Sequence, residues 1–333
     1  MSKPIGVIGA GGWGIALAKL LADKGHQVTL WCHGAESYRE LQENGESRTY
    51  LPGITLTSSV ILTRSIAESI GDKSLILCAV PSHAVREVLA PASSHLRAQA
   101  TVLCCTKGLE EQSLKTMGEV LAEIFGDVRR HVFLSGPTFA LEVARGLPAA
   151  VTVAARGEDV AREVQTTLST ENFRVYTSTD VVGVQMGGVI KNVIAIAAGI
   201  SDGLDLGHNA RAALITRGLA EMTRLAIRMG ADPMTLAGLP GLGDLVLTCA
   251  GDLSRNRRVG IQIAQGTSVQ QVTRGTRMVA EGVRNTRSVY RLACSLKVEM
   301  PIVEQMYKVI YEGKEPADAV RDLMQRSLKP ELS

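Results

Sequence analysis

The first 25 residues restrict the fold more than any other stretch. Residues 3–8 (KPIGVI) form a short apolar run, Gly9-Ala10-Gly11-Gly12-Trp13-Gly14 follows at once, and IALAKLLADKG keeps helical spacing as far as Gly25. G-x-G-x-x-G is a weak pattern alone and a strong one between a strand and a helix. In that setting Gly9 permits the tight turn, Gly11 admits a pyrophosphate to the backbone, and Gly14 lets the helix lie on the strand. The helix start also offers unpaired N–H groups and a positive dipole end to phosphates. The chain therefore reads as opening with the strand–turn–helix unit of a dinucleotide-binding parallel sheet.

Further apolar runs extend that sheet. Residues 27–32 (QVTLWC) and 60–62 give two strands, and 74–80 (SLILCAV) is continuously apolar, as in parallel strands buried on both faces. Residues 100–105 and 132–134 add two more, and 149–155 and 173–176 close the domain, with helices expected at 36–45 and 85–89. In open α/β sheets, ligands bind beyond the carboxyl ends of the strands. Pro81, Lys107 and the segment from Gly136 to Ala140 fall on that edge. Thr138, ahead of FALEVA, reads as an N-cap that leaves neighbouring N–H groups for an anion. The plainer alternatives are a solvated loop charge for Lys107 and a simple turn for residues 135–138. At the end of the second strand, where a carboxylate would hold the ribose 2′-hydroxyl of NAD, stand Trp31, Cys32, His33 and Gly34. A 2′-phosphate meets no repulsion there, so NADP is permitted, with His33 either its contact or an ordinary loop residue.

Strand signals largely stop at residue 181. Residues 181–200 (VVGVQMGGVIKNVIAIAAGI) read as one apolar helix with Lys191 at its middle. An ammonium taken out of water without a partner is costly or loses its proton, so Lys191 must be paired, shifted in pKa or turned to a polar cavity. On an exposed edge it would snorkel instead. A membrane span is the poorer reading, because the run holds Gln185, Lys191 and Asn192 and has no second span to join. Helical spacing returns at 209–229, 259–265, 277–296, 303–311 and 316–327. Strands alternating with helices, then helices alone, indicate an α/β protein: a Rossmann-type domain over residues 1–180 and an all-α domain over residues 181–333.

Composition adds exclusions. With 45% apolar and 21% charged residues the chain reads as soluble and globular, and a net charge of +3 gives no reason for nucleic-acid binding. The start lacks the apolar core and cleavage site of a signal peptide, so a cytoplasmic protein is expected. The six cysteines show no C-x-x-C pair and no metal-ligand spacing with the six histidines, so reduced thiols and no metal site are expected.

The motifs taken together resemble the NAD(P)-dependent glycerol-3-phosphate dehydrogenases, most closely the bacterial type, over nearly the whole length. The blocks that carry the resemblance are IGAGGWG (8–14), VTLW (28–31), VPSH (80–83), TKGLE (106–110), SGPTFA (135–140), GVIKNVIAIAAG (188–199), NARAALITRGLAEM (209–222), GLGDLVLTC (241–249) and SRNRRVG (254–260). It implies interconversion of sn-glycerol 3-phosphate and dihydroxyacetone phosphate by hydride transfer with NAD or NADP, a supply of glycerol 3-phosphate for phospholipid synthesis, and a homodimer without membrane insertion. By the same resemblance Lys191 is the proton acceptor, and Lys107, Gly136, Thr138, Asp244, Ser254, Arg255 and Asn256 contact substrate. Gly12, Trp13, His33, Lys107, Ala140, Arg255, Val279 and Glu281 contact the dinucleotide, and Asn192 and Thr248 are further polar positions of the site. Gly12 stands where many relatives have serine, so only backbone remains for a contact there.

The residues suit that chemistry. Lys191 would protonate the developing alkoxide, Lys107 would lower its pKa by like-charge repulsion, and Asp244 would oppose that shift. Which influence wins depends on geometry. Arg255 with Asn256 offers planar donors suited to phosphate, while Arg257 and Arg258 read equally as a solvated basic patch. A hydroxy-acid dehydrogenase of the same plan and a non-catalytic dinucleotide sensor are the alternatives.

Overall fold

A computed structural model describes residues 2–126, 130–274, 281–328 and 330–331. The glycine-rich turn follows β1 (Pro4–Ile8) and opens α1 (Gly12–Asp23). Gly9 takes φ +114°, and a Cβ on Gly14 would lie 1.8 Å from the Gly9 carbonyl oxygen, so neither position tolerates a side chain. There follow β2 (Gln27–Trp31), α2 (Ala35–Asn44), β3 (Val60–Thr63), α3 (Ile66–Ile70), β4 (Leu75–Cys78), α4 (Val85–Leu89), β5 (Thr101–Cys104), α5 (Met117–Phe125), β6 (His131–Ser135), α6 (Ala140–Ala144), β7 (Ala149–Ala155), α7 (Glu158–Leu168) and β8 (Phe173–Ser178). The strands form one sheet in the order β3-β2-β1-β4-β5-β6-β7-β8.

The direction of chain through that sheet fixes where a ligand can sit. β3 through β6 run parallel, and the strand order reverses between β1 and β4, which leaves a crevice beyond the carboxyl end of β1. β7 pairs antiparallel with β6, and β8 runs parallel to β7, so the last two strands point the other way. All eight expected strands are present. The unexpected helices had audible signals: α3 is capped by Ser65, and α5 carries a full capping box between Thr116 and Glu119. Thr138 does not cap α6. Phe139 holds that position, and the Thr138 hydroxyl turns back to donate to the Gly136 carbonyl at 3.2 Å.

The helical half is built on α8 (Val181–Gly203). Asp180 caps it, accepting from Gly183 N at 2.8 Å through Oδ1 and from Asp232 N at 3.0 Å through Oδ2. The helix is apolar all round because it is surrounded, and its membrane-like length reflects a core position. Val184 joins the sheet core with Cys104 and Phe133, whereas Val189, Val193 and Ile200 belong to the helical core. Around it lie α9 (Gly207–Arg228), α10 (Pro233–Ala237), α11 (Asp244–Ala250), α12 (Arg255–Ala264), α13 (Val269–Arg274), α14 (Glu281–Leu296), α15 (Pro301–Tyr311) and α16 (Pro316–Met324), with a π-turn at Leu239–Gly243 between α10 and α11.

Two expectations change here. α12 begins at Arg255 instead of residue 259, because Ser254 caps it by accepting from Arg257 N at 3.2 Å. Arg257 is no solvated charge either: its guanidinium donates to Asp202 at 2.6 Å and to Asp252 at 3.0 Å, tying the start of α12 to the end of α8. Residues 277–280 of the expected fourth helix, Val279 among them, lie outside the described residues.

Helices α8 and α12 cross at bare backbone. A Cβ on Gly199 would fall 2.0 Å from the Arg257 carbonyl oxygen, and one on Gly260 would fall 2.1 Å from that of Ile196. Gly199→Ala should therefore force the helices apart and destabilise the fold by about 1–3 kcal/mol, seen as a lowered midpoint in thermal unfolding.

Candidate active site

Lys191 lies 7% exposed at the middle of α8, and Asp244 is fully buried on the first turn of α11. The Lys191 ammonium donates to Asp244 Oδ1 and, at 2.9 Å, to Thr248 Oγ1. Thr248 in turn donates to the Asp244 carbonyl oxygen at 2.6 Å, which fixes its lone pairs toward the lysine. The π-turn brings this carboxylate under α8. At Gly187 the helix has no side chain, and a Cβ there would meet the Pro240 carbonyl oxygen at 2.3 Å. A snorkelling lysine is thereby replaced by a buried ion pair.

A second ammonium reaches the same carboxylate. Lys107, three residues beyond the end of β5 at Cys104, donates to Asp244 Oδ2 at 2.7 Å and to the Gly136 carbonyl at 3.1 Å. Its side chain passes Gly188, where a Cβ would lie 3.2 Å from Lys107 Cγ and 2.9 Å from Ser135 Oγ. Of the three glycines on this face of α8, only Gly188 serves approach of the sheet; Gly187 admits the π-turn, and Gly183 admits the Asp180 cap. Burial pushes the Lys191 amine down to about 8, Asp244 works against it, and Lys107 adds to it.

The remaining expected residues fall into three groups. Asn192 accepts from Asn256 Nδ2 at 2.9 Å, and Asn256 Oδ1 accepts from Gly282 N at 3.0 Å, so α8, α12 and α14 are joined by one amide chain. Beside it Arg255 is exposed, with no hydrogen bond or ion pair among the described residues, at the capped start of α12. Glu281 accepts from Ser82 Oγ at 3.3 Å, just past Pro81. The glycine turn forms the third group.

That turn is shaped for a dinucleotide. A Cβ on Gly11 would meet nothing within 4 Å, and the start of α1 has no side-chain cap, so open space faces its free N–H groups. Trp13 packs on the sheet core and keeps its indole N–H buried with no hydrogen-bond partner among the described residues. A Cβ on Gly12 would be 2.8 Å from the Tyr50 carbonyl oxygen and 3.9 Å from Ala140 Cβ. Glycine at position 12 thus makes room for the backbone of Tyr50, a neighbour that the sequence alone did not disclose. His33 is exposed, edge-on to Trp31 at 5.5 Å.

Sequence reasoning also missed Asn285, 1% exposed on α14, whose amide faces the Lys107 carbonyl. The signal was a polar residue set among inward-facing Gly282, Val283 and Val289.

A family model of the NAD-dependent glycerol-3-phosphate dehydrogenase N-terminus matches residues 4–161, and one of the C-terminus matches residues 180–321. The chain belongs to the NAD-dependent glycerol-3-phosphate dehydrogenase family. Over 333 residues it is 54% identical to the NAD(P)+ glycerol-3-phosphate dehydrogenase of Citrifermentans bemidjiense, covering 99% of both chains. To the protein of that name from Syntrophotalea carbinolica it is 51% identical over 330 residues, 98% of this chain and 99% of the other. The crystal structure of the Coxiella burnetii glycerol-3-phosphate dehydrogenase matches with a TM-score of 0.94 at 40% identity, over 98% and 99% of the two chains.

For this glycerol-3-phosphate dehydrogenase family member, the site predicts its own titration. The Lys191 amine should lose its proton near pH 8, and Asp244→Asn, by removing the charge that holds the proton on, should move that midpoint lower. Side-chain NMR of Lys191 across pH measures both.

Proposed function

We infer that the chain interconverts sn-glycerol 3-phosphate and dihydroxyacetone phosphate by hydride transfer, using NAD or NADP. The observation that carries the roles is a buried carboxylate shared by two lysines at the carboxyl edge of a dinucleotide-binding sheet. When bound, the dinucleotide supplies or takes up the hydride. Gly9, Gly11, Gly12, Trp13 and Gly14 hold its pyrophosphate, with Ala140, Pro81 and Glu281 along the same edge.

We assign the proton to Lys191. In the reducing direction its ammonium donates to the substrate carbonyl oxygen as negative charge grows there, and in oxidation the neutral amine accepts the hydroxyl proton. Lys107 adds a second positive charge toward that oxygen, and Asp244 keeps both ammonium groups aimed. Arg255, Asn256 and the capped start of α12 take the phosphate, a use supported by an exposed arginine that makes no hydrogen bond or ion pair among the described residues, beside a helix N-terminus. Gly136, Thr138, Asn192 and Thr248 line the space between.

The absence of a carboxylate after β2 supports acceptance of NADP, with His33 as its contact. We propose a division at residue 180, supported by the end of β8 at Ser178 and the start of α8 at Val181, and further propose a cytoplasmic homodimer serving phospholipid synthesis.

Initial rates with dihydroxyacetone phosphate, using NADH and NADPH in parallel, test the activity; no nicotinamide oxidation with either would overturn it. Lys191→Ala should lower turnover by about 10³-fold while dinucleotide still binds, measured by steady-state kinetics and fluorescence titration. Arg255→Ala should raise KM for dihydroxyacetone phosphate by roughly 10–100-fold and leave KM for NADPH nearly unchanged.

A further inference from the structure

The connection that carries Lys107 leaves the sheet at Cys105 and then packs in the other half of the molecule. Leu109 is 2% exposed within the helical core, together with Val189 of α8 and Val289 of α14. Leu114 packs on the same core with φ at +62°, a conformation a leucine keeps only where its surroundings hold it. A bridge between Leu109 and Thr116 closes the segment into a strap. At its outer rim Glu111 meets Arg287 of α14 at 3.1 Å and Arg284 at 3.8 Å, and Arg291 reaches the Glu111 carbonyl at 3.4 Å.

The inner end of the strap meets Asn285. Its Nδ2 lies 3.4 Å from both the Lys107 carbonyl oxygen and the Val189 carbonyl oxygen, the latter two residues before Lys191. Gly108 is pressed between two side chains: a Cβ there would fall 2.4 Å from Ser82 Oγ and 3.1 Å from Asn285 Oδ1. Asn285 is thus a buried group that touches the backbone of both lysine-bearing segments. We propose that Asn285 is a positioning residue, fixing the Lys107 backbone against α8 and so holding the Lys107 ammonium on Asp244.

This rests on reading Lys107, Asp244 and Lys191 as the charged centre of the reaction. The groups facing Lys191 are Asp244 and Thr248 from α11, Lys107 from the strap, and the buried neutral thiol of Cys249. With Asn285 cut back, Lys107 recedes, its repulsion on Lys191 fades, and Asp244 is left to Lys191 alone. The Lys191 proton is then held more tightly, so dihydroxyacetone phosphate reduction persists to higher pH.

Asn285→Ala tests this. Expected are a loss in kcat approaching about 10²-fold, little change in KM for NADPH, and an upward move of the alkaline limb of kcat. A loss of kcat with the limb unmoved would mean a general packing defect and would overturn the proposal, as would wild-type kinetics. Gly108→Ala presses on the same contact from the strap and keeps the Asn285 amide, so it replaces Asn285→Ala if that variant does not fold; because its methyl also meets Ser82, the partner of Glu281, its readouts are the alkaline limb and Lys107 reactivity, with the same directions expected. Reductive methylation read by mass spectrometry supplies a measurement free of turnover: Lys107 should react faster in either variant than in wild type, and equal rates would refute the anchoring. Because that readout needs no substrate, it stands even if wild-type protein fails to reduce dihydroxyacetone phosphate, a result that would count against the function and not against the anchoring.

Discussion

One buried carboxylate answers two ammonium groups, and much of the architecture exists to bring those three charges together. Asp244 has no exposed surface, and Lys191 and Lys107 occupy its two oxygens from opposite halves of the molecule. Taking charges out of water is unfavourable unless each is met, and a carboxylate stripped of its partners in such a place costs about 3–5 kcal/mol. Here the balance is deliberately uneven, since two positive charges face one negative. The surplus is what an oxygen gaining negative charge would find on arrival, already oriented and shielded from solvent.

Bare backbone is the means by which the pieces approach. Gly187 receives the π-turn that leads to Asp244, Gly188 receives Lys107 and Ser135, and Gly199 receives the backbone of α12. Each contact is with a different element, and a methyl group at any of them would overlap its neighbour. A helix that looks permissive in composition is in fact sterically committed at several points along its length.

Much of this was legible in the residues. The glycine turn declared its strand and helix through spacing, and Lys191 declared itself because a charge within an apolar helix needs a reason. Asp244 was legible only through the family motif, for 53 positions separate it from Lys191 and 137 from Lys107. The direction of the Lys191 shift was hidden, because burial, joined by Lys107, outweighs Asp244, and burial is a property of the packed state. Thr138 was misread because Gly136 lets the chain fold back before the helix begins. The strap after β5 escaped because its position in the chain assigns it to the sheet, whereas Leu109 and Leu114 are buried among helices.

Helix α8 belongs to both halves. Its opening turns place Val184 against Phe133 and Cys104 in the sheet core, and its middle builds the helical core. A division at residue 180 therefore separates two topologies that share the opening turns of α8. A nucleotide-binding half ending there would carry an uncovered floor where Val184 now sits, and a helical half starting later would lose the Asp180 cap. Recombination that swaps one half for another has to move the first turns of α8 with the sheet, so the dinucleotide module and the helix bearing Lys191 travel as a single mechanical part.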